Sequence, residues 1–319
     1  MGLLDNLLGA FLKLTDPTPR YTGSRCLVEK YAVGGCDACV EACPYEAVDL
    51  AHFRVEIDDT RCTGCGLCTQ VCPGVALEFP LGPLQEALDK GRGQVKCSKA
   101  EGSGQEVLCL GRLTPGLLAE AASRHGRLTL ARGDCERCKI GGPTVPQALE
   151  RVVEEARRYY PELEVAVTTE ALPGVAVGRR ELFQQILGGT RRMAAEVLPE
   201  PPEALVPEDA GEGPALPAEL RLRRAAAARS QGEVRWPAVQ VLEGCTLCPV
   251  CANVCPTGAI RREREEGEYV LELEVSACTG CAACVTSCPP QVVELVEVGR
   301  DAVLAGEPLE LYRGEPEWS

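Results

Sequence analysis

Short segments in both halves of the chain alternate hydrophobic and polar residues, and this period of two is typical of half-buried β-strands. In the first half, residues 47–58 (AVDLAHFRVEID) predict a β-hairpin, and residues 74–80 (GVALEFP) predict its partner strand. In the second half, residues 269–275 (YVLELEV) and 291–298 (QVVELVEV) show the same alternation. We therefore expect a small sheet in each half.

Between these regions, strand-like and helix-like segments alternate. Three predicted strands enclose two predicted helices, in the order 107–111, 114–125, 127–131, 146–160 and 164–168. Thr114 suits the N-cap of the first helix, Pro115 its first position and Gly126 its end. Such alternation predicts a small parallel sheet with right-handed crossovers.

Other segments are predicted from composition and helical periodicity. Residues 83–90 and 171–198 look helical, and residues 199–214 (PEPPEALVPEDAGEGP) are acidic and proline-rich, as expected of an extended linker. Residues 218–229 predict a short arginine-rich helix. Such a charge run is usually a solvated face, but it could also dock an acidic partner or lie against the chain's own acidic domains.

An apolar stripe at helical spacing marks residues 2–14. The predicted helix could pack on its own domain or a partner, or it could lie on a membrane surface. Lys13 is its one basic residue and Asp5 is acidic, so attraction to anionic lipid is poor. Packing is the favoured interpretation.

Cysteine spacing carries the strongest chemical signal. Residues 245–256 (CTLCPVCANVCP) and 278–289 (CTGCAACVTSCP) both read C-x2-C-x2-C-x3-C-P. Residues 62–73 (CTGCGLCTQVCP) repeat the pattern once more. Three thiolates at this spacing can wrap one cubane, and the fourth points away from it. Zinc sites use separate C-x2-C pairs instead.

A fourth run, at residues 36–44 (CDACVEACP), lacks its first cysteine. The missing ligand would fall at Val33, which cannot bind iron, whereas Cys26 stands seven positions earlier. We expect Cys26 to be recruited through an enlarged loop. The alternative is a three-iron cluster at this site, with Cys26 as a buried thiol.

The tandem runs resemble those of bacterial two-cluster ferredoxins and of polyferredoxin electron-transfer subunits, over about residues 20–80 and 236–299. In that family the fourth cysteine of each run binds the other cluster. The resemblance implies four [4Fe–4S] clusters with these ligands: Cys26, Cys36, Cys39 and Cys72; Cys62, Cys65, Cys68 and Cys43; Cys245, Cys248, Cys251 and Cys288; Cys278, Cys281, Cys284 and Cys255.

Four more cysteines belong to the central region: Cys97, Cys109, Cys135 and Cys138. Cys109 is expected to end the first predicted strand and Cys135 to follow the second, and the carboxyl ends of parallel strands share one sheet edge. The strings VLCLGRLTPGLL and GDCERC also resemble the delta subunit of methanogen hydrogenases coupled to heterodisulfide reductase. That resemblance implies a [2Fe–2S] cluster.

Two other interpretations of the central cysteines remain open. Four thiolates would also satisfy the tetrahedral demand of a structural zinc ion. Cys135 and Cys138 could instead form a C-x-x-C redox pair beside a βαβ unit. Against the redox pair, Gly141, Gly142 and Pro143 intervene before the next predicted helix, so no helix N-terminus is placed to lower a thiol pKa.

Composition excludes several classes of function. The formal charge of −14 argues against nucleic-acid binding and favours an acidic electron carrier that meets a basic patch on its partner. The sequence has no G-x-G-x-x-G or P-loop motif and only two histidines, so we expect no catalytic residues. No signal peptide or membrane-spanning segment is evident, and cluster cysteines need reducing conditions, so we expect a cytoplasmic protein.

The pattern as a whole predicts an α+β protein in which two ferredoxin-like dicluster domains flank a small α/β parallel-sheet domain. The expected divisions are residues 1–89, 90–198, 199–235 (linker and arginine-rich helix) and 236–319. The expected function is electron transfer to or from a large catalytic subunit such as a formate dehydrogenase, a hydrogenase or a heterodisulfide-reductase-like enzyme. An iron–sulfur assembly factor and a redox sensor are the alternatives.

Overall fold

A computed structural model of the chain describes residues 18–31, 35–172 and 216–315. The predicted N-terminal helix and the acidic linker lie outside these residues, as does the predicted helix over 171–198 beyond its first two positions. Among the described residues, no helix is long and apolar enough to cross a lipid bilayer.

The N-terminal unit (residues 18–79) consists of short elements around cysteine-rich loops. Its elements are β1 (Arg20–Tyr21), α1 (Leu27–Tyr31), α2 (Ala38–Glu41), β2 (Val48–Ala51), β3 (Arg54–Ile57), α3 (Leu67–Gln70) and β4 (Leu77–Glu78). β2 and β3 form the predicted hairpin, and the positive φ angles of His52 and Phe53 at its turn are those of a type I′ turn. The predicted partner of the hairpin was wrong, because β4 pairs with β1 instead, Arg20 opposite Glu78.

The sheet unit (residues 82–172) contains a four-stranded parallel sheet in the order β6-β5-β7-β8. Its elements are α4 (Gly82–Lys90), β5 (Gln94–Cys97), β6 (Glu106–Val107), α5 (Pro115–His125), β7 (Leu128–Ala131), α6 (Val145–Tyr159) and β8 (Val165–Thr168). The predicted parallel sheet is confirmed, but β5 precedes the strand expected to come first. That expected strand is also shorter than predicted, ending at Val107.

The start and end of α5 follow the signals in the sequence. The Thr114 hydroxyl accepts a hydrogen bond from the backbone N–H of Leu117 at 3.4 Å, and Pro115 is the first helical residue. Gly126 follows the last turn with a φ of +74°, which a residue with a Cβ adopts only with strain. These boundaries hold Leu117 and Leu118 fully buried within the unit's core.

The predicted arginine-rich helix, α7 (Ala218–Arg229), has a buried face that packs against α5 and an exposed face. Arg221 and Arg224 are exposed, which fits the predicted solvated face. On the opposite face, Leu220 is fully buried within the same core as the sheet unit. The helix therefore lies against the chain's own sheet unit.

A buried polar network fixes α7 in place. The Glu219 carboxylate accepts hydrogen bonds from the Gly116 N–H (2.7 Å) and the Thr114 hydroxyl, both at the start of α5. Arg223 donates to Glu219 at 2.8 Å and to the Tyr159 hydroxyl of α6 at 2.7 Å. The Tyr159 ring packs edge-on against Trp236, with 5.1 Å between centroids. This network thus links α5, α6, α7 and the region that follows.

The C-terminal unit (residues 236–315) repeats the arrangement of the N-terminal unit. Its elements are β9 (Trp236–Val241), α8 (Val250–Val254), β10 (Ile260–Glu265), β11 (Glu268–Leu273), α9 (Ala283–Thr286), β12 (Val293–Val298), α10 (Arg300–Leu304) and β13 (Leu309–Gly314). β9 pairs antiparallel with β12 as β1 does with β4, and β10–β11 form a hairpin as β2–β3 do. Beyond the last predicted strand, β13 adds to the hairpin alongside β11.

One hydrophobic core extends from α4 through the sheet unit and α7 into the C-terminal unit, including Leu88, Leu130, Leu220 and Trp236. The N-terminal unit has a separate, smaller core that contains Val48, Leu77 and several cysteines. The sheet unit and the C-terminal unit are therefore packed as one body by apolar contacts. The N-terminal unit joins them mainly through its cysteine loops, as described below.

We predict that Glu219→Ala destabilises the fold by about 3 kcal/mol, because it leaves the buried Arg223 guanidinium without its carboxylate partner. The measurement is the thermal unfolding midpoint of the iron-loaded protein by calorimetry. Glu150→Ala is the matched control, since Glu150 is exposed on α6. Its loss is expected to change the free energy of unfolding by no more than about 0.5 kcal/mol. Equal midpoints for the two variants would contradict the prediction.

Candidate metal centres

All twenty cysteines lie among the described residues, and none is in a disulfide. We consider their sulfurs in the five sets of four that the sequence predicts, and call these sets groups A to E. In the dicluster units the short helices α2, α3, α8 and α9 each carry cysteines, because the C-x2-C-x3-C spacing begins in a loop and ends about one helical turn later.

Group A consists of Cys26, Cys36, Cys39 and Cys72. Burial, followed by the nearby sulfurs of Cys72, Cys36 and Cys26, raises the pKa of the Cys39 thiol to about 11. Cys26 is buried and directly precedes α1. The structure therefore brings Cys26 to the three cysteines with which the sequence grouped it.

Group B consists of Cys43, Cys62, Cys65 and Cys68. Burial raises the pKa of Cys68, and the sulfurs of Cys65, Cys62 and Cys43 add to the shift. Cys43 follows α2, whereas the other three lie at or before α3. Cys43, the last cysteine of the first run, thus stands near the first three cysteines of the second run. In group A, Cys72, the last cysteine of the second run, stands near cysteines that precede that run.

The C-terminal unit repeats this exchange. Group C consists of Cys245, Cys248, Cys251 and Cys288, and group D of Cys255, Cys278, Cys281 and Cys284. Burial and then the sulfurs of Cys248, Cys245 and Cys288 raise the pKa of Cys251 to about 12. Burial and then the sulfurs of Cys281, Cys278 and Cys255 raise the pKa of Cys284 to about 12.

Group E consists of Cys97, Cys109, Cys135 and Cys138, which line one cavity. Cys97 ends β5, and Cys135 follows β7, so the carboxyl ends of adjacent parallel strands supply both. The prediction that Cys109 ends a strand was wrong. Cys109 lies two residues past β6, where its sulfur accepts the Gly111 N–H and caps a 3₁₀ turn, Leu110–Arg112.

Backbone N–H groups point at sulfurs in group E and in both dicluster units. In group E, Gly133 donates to Cys97 at 3.3 Å and Ile140 to Cys138 at 3.4 Å. Equivalent bonds reach Cys43 from Ala47 (3.3 Å), Cys72 from Ala76 (3.1 Å) and Cys245 from Leu247 (3.4 Å). Such donors stabilise a thiolate, and hydrogen bonds to the sulfurs of an iron–sulfur centre help to set its reduction potential.

Cys138 differs from the other sulfurs of its group. Burial raises its pKa, but the N–H groups of Gly141, Ile140 and Gly142 outweigh burial and hold the pKa below its ordinary value. In contrast, burial raises the pKa of Cys109 to about 12. These donors lie in the glycine-containing loop before α6 and not at a helix N-terminus, which the sequence had led us to consider alone.

In the part of the chain that the structure describes, no three His, Cys, Asp or Glu side chains form a group that could hold a single metal ion. Neither histidine joins a group: His52 is exposed at the hairpin turn, and His125 bonds Asp89 at 2.8 Å.

Each group adjoins the next. Cys65 of group B packs with Cys109 and Cys135 of group E in one small apolar cluster. Cys39 of group A adds to the pKa shift of Cys68 in group B, and Cys251 of group C to that of Cys284 in group D. Groups A and D meet where Pro256 lies 3.3 Å from an ideal Cβ on Gly74. The spatial order is therefore E, B, A, D, C.

Sequence reasoning missed two basic residues at these contacts, Lys30 and Arg112. The Lys30 ammonium donates to the Cys255 carbonyl at 2.6 Å, although the two residues are 225 positions apart. Arg112 donates to the Gly64 carbonyl at 2.6 Å. Arg112 lies three residues after Cys109, and this proximity in sequence is a signal that could have identified it. No local signal marks Lys30.

Comparison with known proteins bears on the two outer units. The family model described as 4Fe-4S dicluster domain matches residues 34–76 and 244–292. Searches of curated proteins and of solved structures gave no match for the chain. The matched regions contain fifteen of the sixteen cysteines in groups A to D, all but Cys26. The chain thus carries two 4Fe-4S dicluster domains, which identify it as an iron–sulfur electron-transfer protein with [4Fe–4S] clusters.

Proposed function

We propose that this chain carries electrons through five metal centres to or from a partner oxidoreductase. The observation that carries the proposal is a set of contacts that links the cysteine loops of all three units in the order E, B, A, D and C. Such a series suits one-electron transfer through the protein, because the rate of electron tunnelling falls steeply with distance. The chain itself needs no catalytic side chain for this task.

In this proposal, groups A to D each hold one [4Fe–4S] cluster, with the fourth cysteine of every run binding the neighbouring cluster. The pKa shifts support this division, because the sulfurs that act on Cys39, Cys68, Cys251 and Cys284 include the three proposed co-ligands in each case. Cys26 takes the place of the ligand absent at position 33. The bound clusters supply one-electron redox chemistry, and the chain supplies thiolates, N–H donors and burial.

Group E holds a fifth centre, and a [2Fe–2S] cluster is the first choice. It is supported by four cysteines that line one cavity and by three N–H···S bonds, from Gly111, Gly133 and Ile140. Lys99 and Arg132 also line this cavity and offset the charge of thiolates. A zinc ion and a Cys135–Cys138 redox pair are the alternatives that the experiment below separates.

The proposed partner is a large catalytic subunit of the formate dehydrogenase, hydrogenase or heterodisulfide-reductase-like class, with the chain working in the cytoplasm. The proposed division is residues 1–89, 90–198, 199–235 and 236–319, with α4 and α7 packed on the core of the sheet unit. A formal charge of −14 favours a partner with a basic docking patch. The rate of association between the chain and this partner should therefore fall as ionic strength rises.

The function is tested by isolating the chain with its native partner from a lysate under anaerobic conditions. Viologen dye reduced by dithionite should pass electrons through the chain to the partner's active site at the rate of turnover. An assembly factor would instead release iron slowly to an apo-protein, and a sensor would bind a regulatory target without sustaining turnover. Either result would contradict the proposed function.

The exchange of ligands between the two runs predicts the effect of Cys43→Ser. We expect this variant to damage the centre of group B, because Cys43 stands with Cys62, Cys65 and Cys68. Its EPR difference spectrum should match that of Cys62→Ser. The matched comparison is Cys36→Ser, which belongs to group A. A Cys43→Ser spectrum that matched the Cys36→Ser spectrum would contradict the exchange.

A second prediction concerns group E in the full-length protein. Cys138→Ser should remove about two irons per chain if group E holds a [2Fe–2S] cluster, with zinc content unchanged. Ser98→Ala is the control, because Ser98 adjoins Cys97 but bonds the Leu108 carbonyl. Loss of about one zinc would assign the site to a structural ion, and no change in either metal would leave the redox pair.

A further inference from the structure

Two contacts between neighbouring groups cross from one unit of the chain to another. At the first, group B of the N-terminal unit meets group E of the sheet unit. At the second, group A of the N-terminal unit meets group D of the C-terminal unit. We call these the B–E junction and the A–D junction. Each junction contains one basic side chain, Arg112 at the first and Lys30 at the second.

The B–E junction is formed by a close approach of backbones. An ideal Cβ on Gly111 would lie 2.6 Å from the Cys65 carbonyl oxygen, and one on Gly66 would lie 2.6 Å from the Gly111 carbonyl oxygen. Glycine is therefore required at both positions. A Cβ on Gly141 would also lie 2.8 Å from the Cys109 sulfur. These contacts bring the Cys62–Cys68 loop against the loop that carries Cys109.

Arg112 lies within this junction. Its Nε donates to the Gly64 carbonyl at 2.6 Å, and its guanidinium stacks over the Phe79 ring, 4.0 Å from the centroid. Burial lowers the pKa of Arg112, while the sulfurs of Cys109, Cys62 and Cys65 favour its charged form. The cation thus faces sulfurs of group E and of group B together.

The A–D junction is built around Gly74. A Cβ on Gly74 would overlap the Arg25 carbonyl oxygen within the N-terminal unit and would lie 3.3 Å from Pro256 of the C-terminal unit. Gly74 follows Cys72 by two residues, so a ligand loop of group A approaches the loop that carries Cys255. Lys30 lies one helical turn after Cys26 and donates to the Cys255 carbonyl at 2.6 Å.

We infer that Lys30 and Arg112 are tuning residues that raise the reduction potentials of the metal centres on both sides of their junctions. The inference rests on the proposed function, since it requires bound clusters. Reduction adds one electron to a centre without a proton, so a partly buried cation nearby stabilises the reduced form. Because one cation acts on the centres on both sides of a junction, it raises both potentials without driving them apart.

The test is an EPR-monitored redox titration of the full-length, iron-loaded protein, with dithionite as the reductant and viologen dyes as mediators. Each signal is assigned by difference from a variant that loses one centre, such as Cys39→Ser for group A or Cys281→Ser for group D. Lys30→Gln keeps a hydrogen-bond donor for the Cys255 carbonyl but removes the charge. Lys30→Met is the second neutral variant, for use if the glutamine variant loads less iron.

We expect Lys30→Gln to lower the midpoint potentials of groups A and D and to leave those of groups B and C unchanged. Arg112→Gln should lower the potentials of groups B and E alone. The charge-preserving variants Lys30→Arg and Arg112→Lys should restore values near those of the unsubstituted protein. Lys90→Gln is the control, because Lys90 is an exposed residue of α4 that pairs with Glu86.

Several outcomes would overturn the inference. Midpoint potentials that do not change when the charge at position 30 or 112 is removed would contradict it. An equal shift in the potential of every centre, or a shift on one side of a junction only, would contradict it as well. These results leave the proposed function intact, because the protein still contains redox-active clusters. Absence of redox-active iron from the unsubstituted chain would overturn the proposed function and the inference together.

Discussion

The gathering of cysteine thiols in groups of four is the constraint on which this structure depends. Burial and neighbouring sulfurs raise the pKa of Cys109, Cys251 and Cys284 to about 12, so at neutral pH these thiols favour the protonated form. Thiolates are nevertheless the form that binds iron. Metal binding therefore has to supply the free energy that ionises the groups, and it couples cluster loading to folding of the cysteine loops.

The rest of the fold serves to hold five such groups side by side. The sheet unit presents group E at the carboxyl edge of its strands, and its core continues into the C-terminal unit through α7 and Trp236. The N-terminal unit has its own small core and meets the other two at the B–E and A–D junctions. The B–E junction depends on Gly66 and Gly111, at which a Cβ would overlap a backbone oxygen of the other unit. At the A–D junction, Gly74 lets the Cys72 loop approach Pro256.

Local signals made much of this architecture predictable. The C-x2-C-x2-C-x3-C-P spacing fixes three sulfurs in one loop. Thr114, Pro115 and Gly126 mark the start and end of α5, and the contacts they make are with residues only a few positions away in the chain. Features that depend on distant contacts were missed. β5 (QVKC) is too short to show alternation, β13 becomes a strand by pairing with β11, and Lys30 reaches Cys255 across 225 positions. β4 was assigned the wrong partner for the same reason, because its pairing with β1 produces no periodic pattern in the sequence that would reveal it.

Iron and acid-labile sulfide per chain, measured on anaerobically purified full-length protein together with EPR of the reduced state, test most directly whether the thiol groups hold clusters. Four cubanes and one binuclear centre predict about 18 irons and a similar amount of sulfide, with magnetically interacting [4Fe–4S] signals. Fewer than about 12 irons in a folded, fully reconstituted chain would contradict the assignment of one cluster to each of groups A to D.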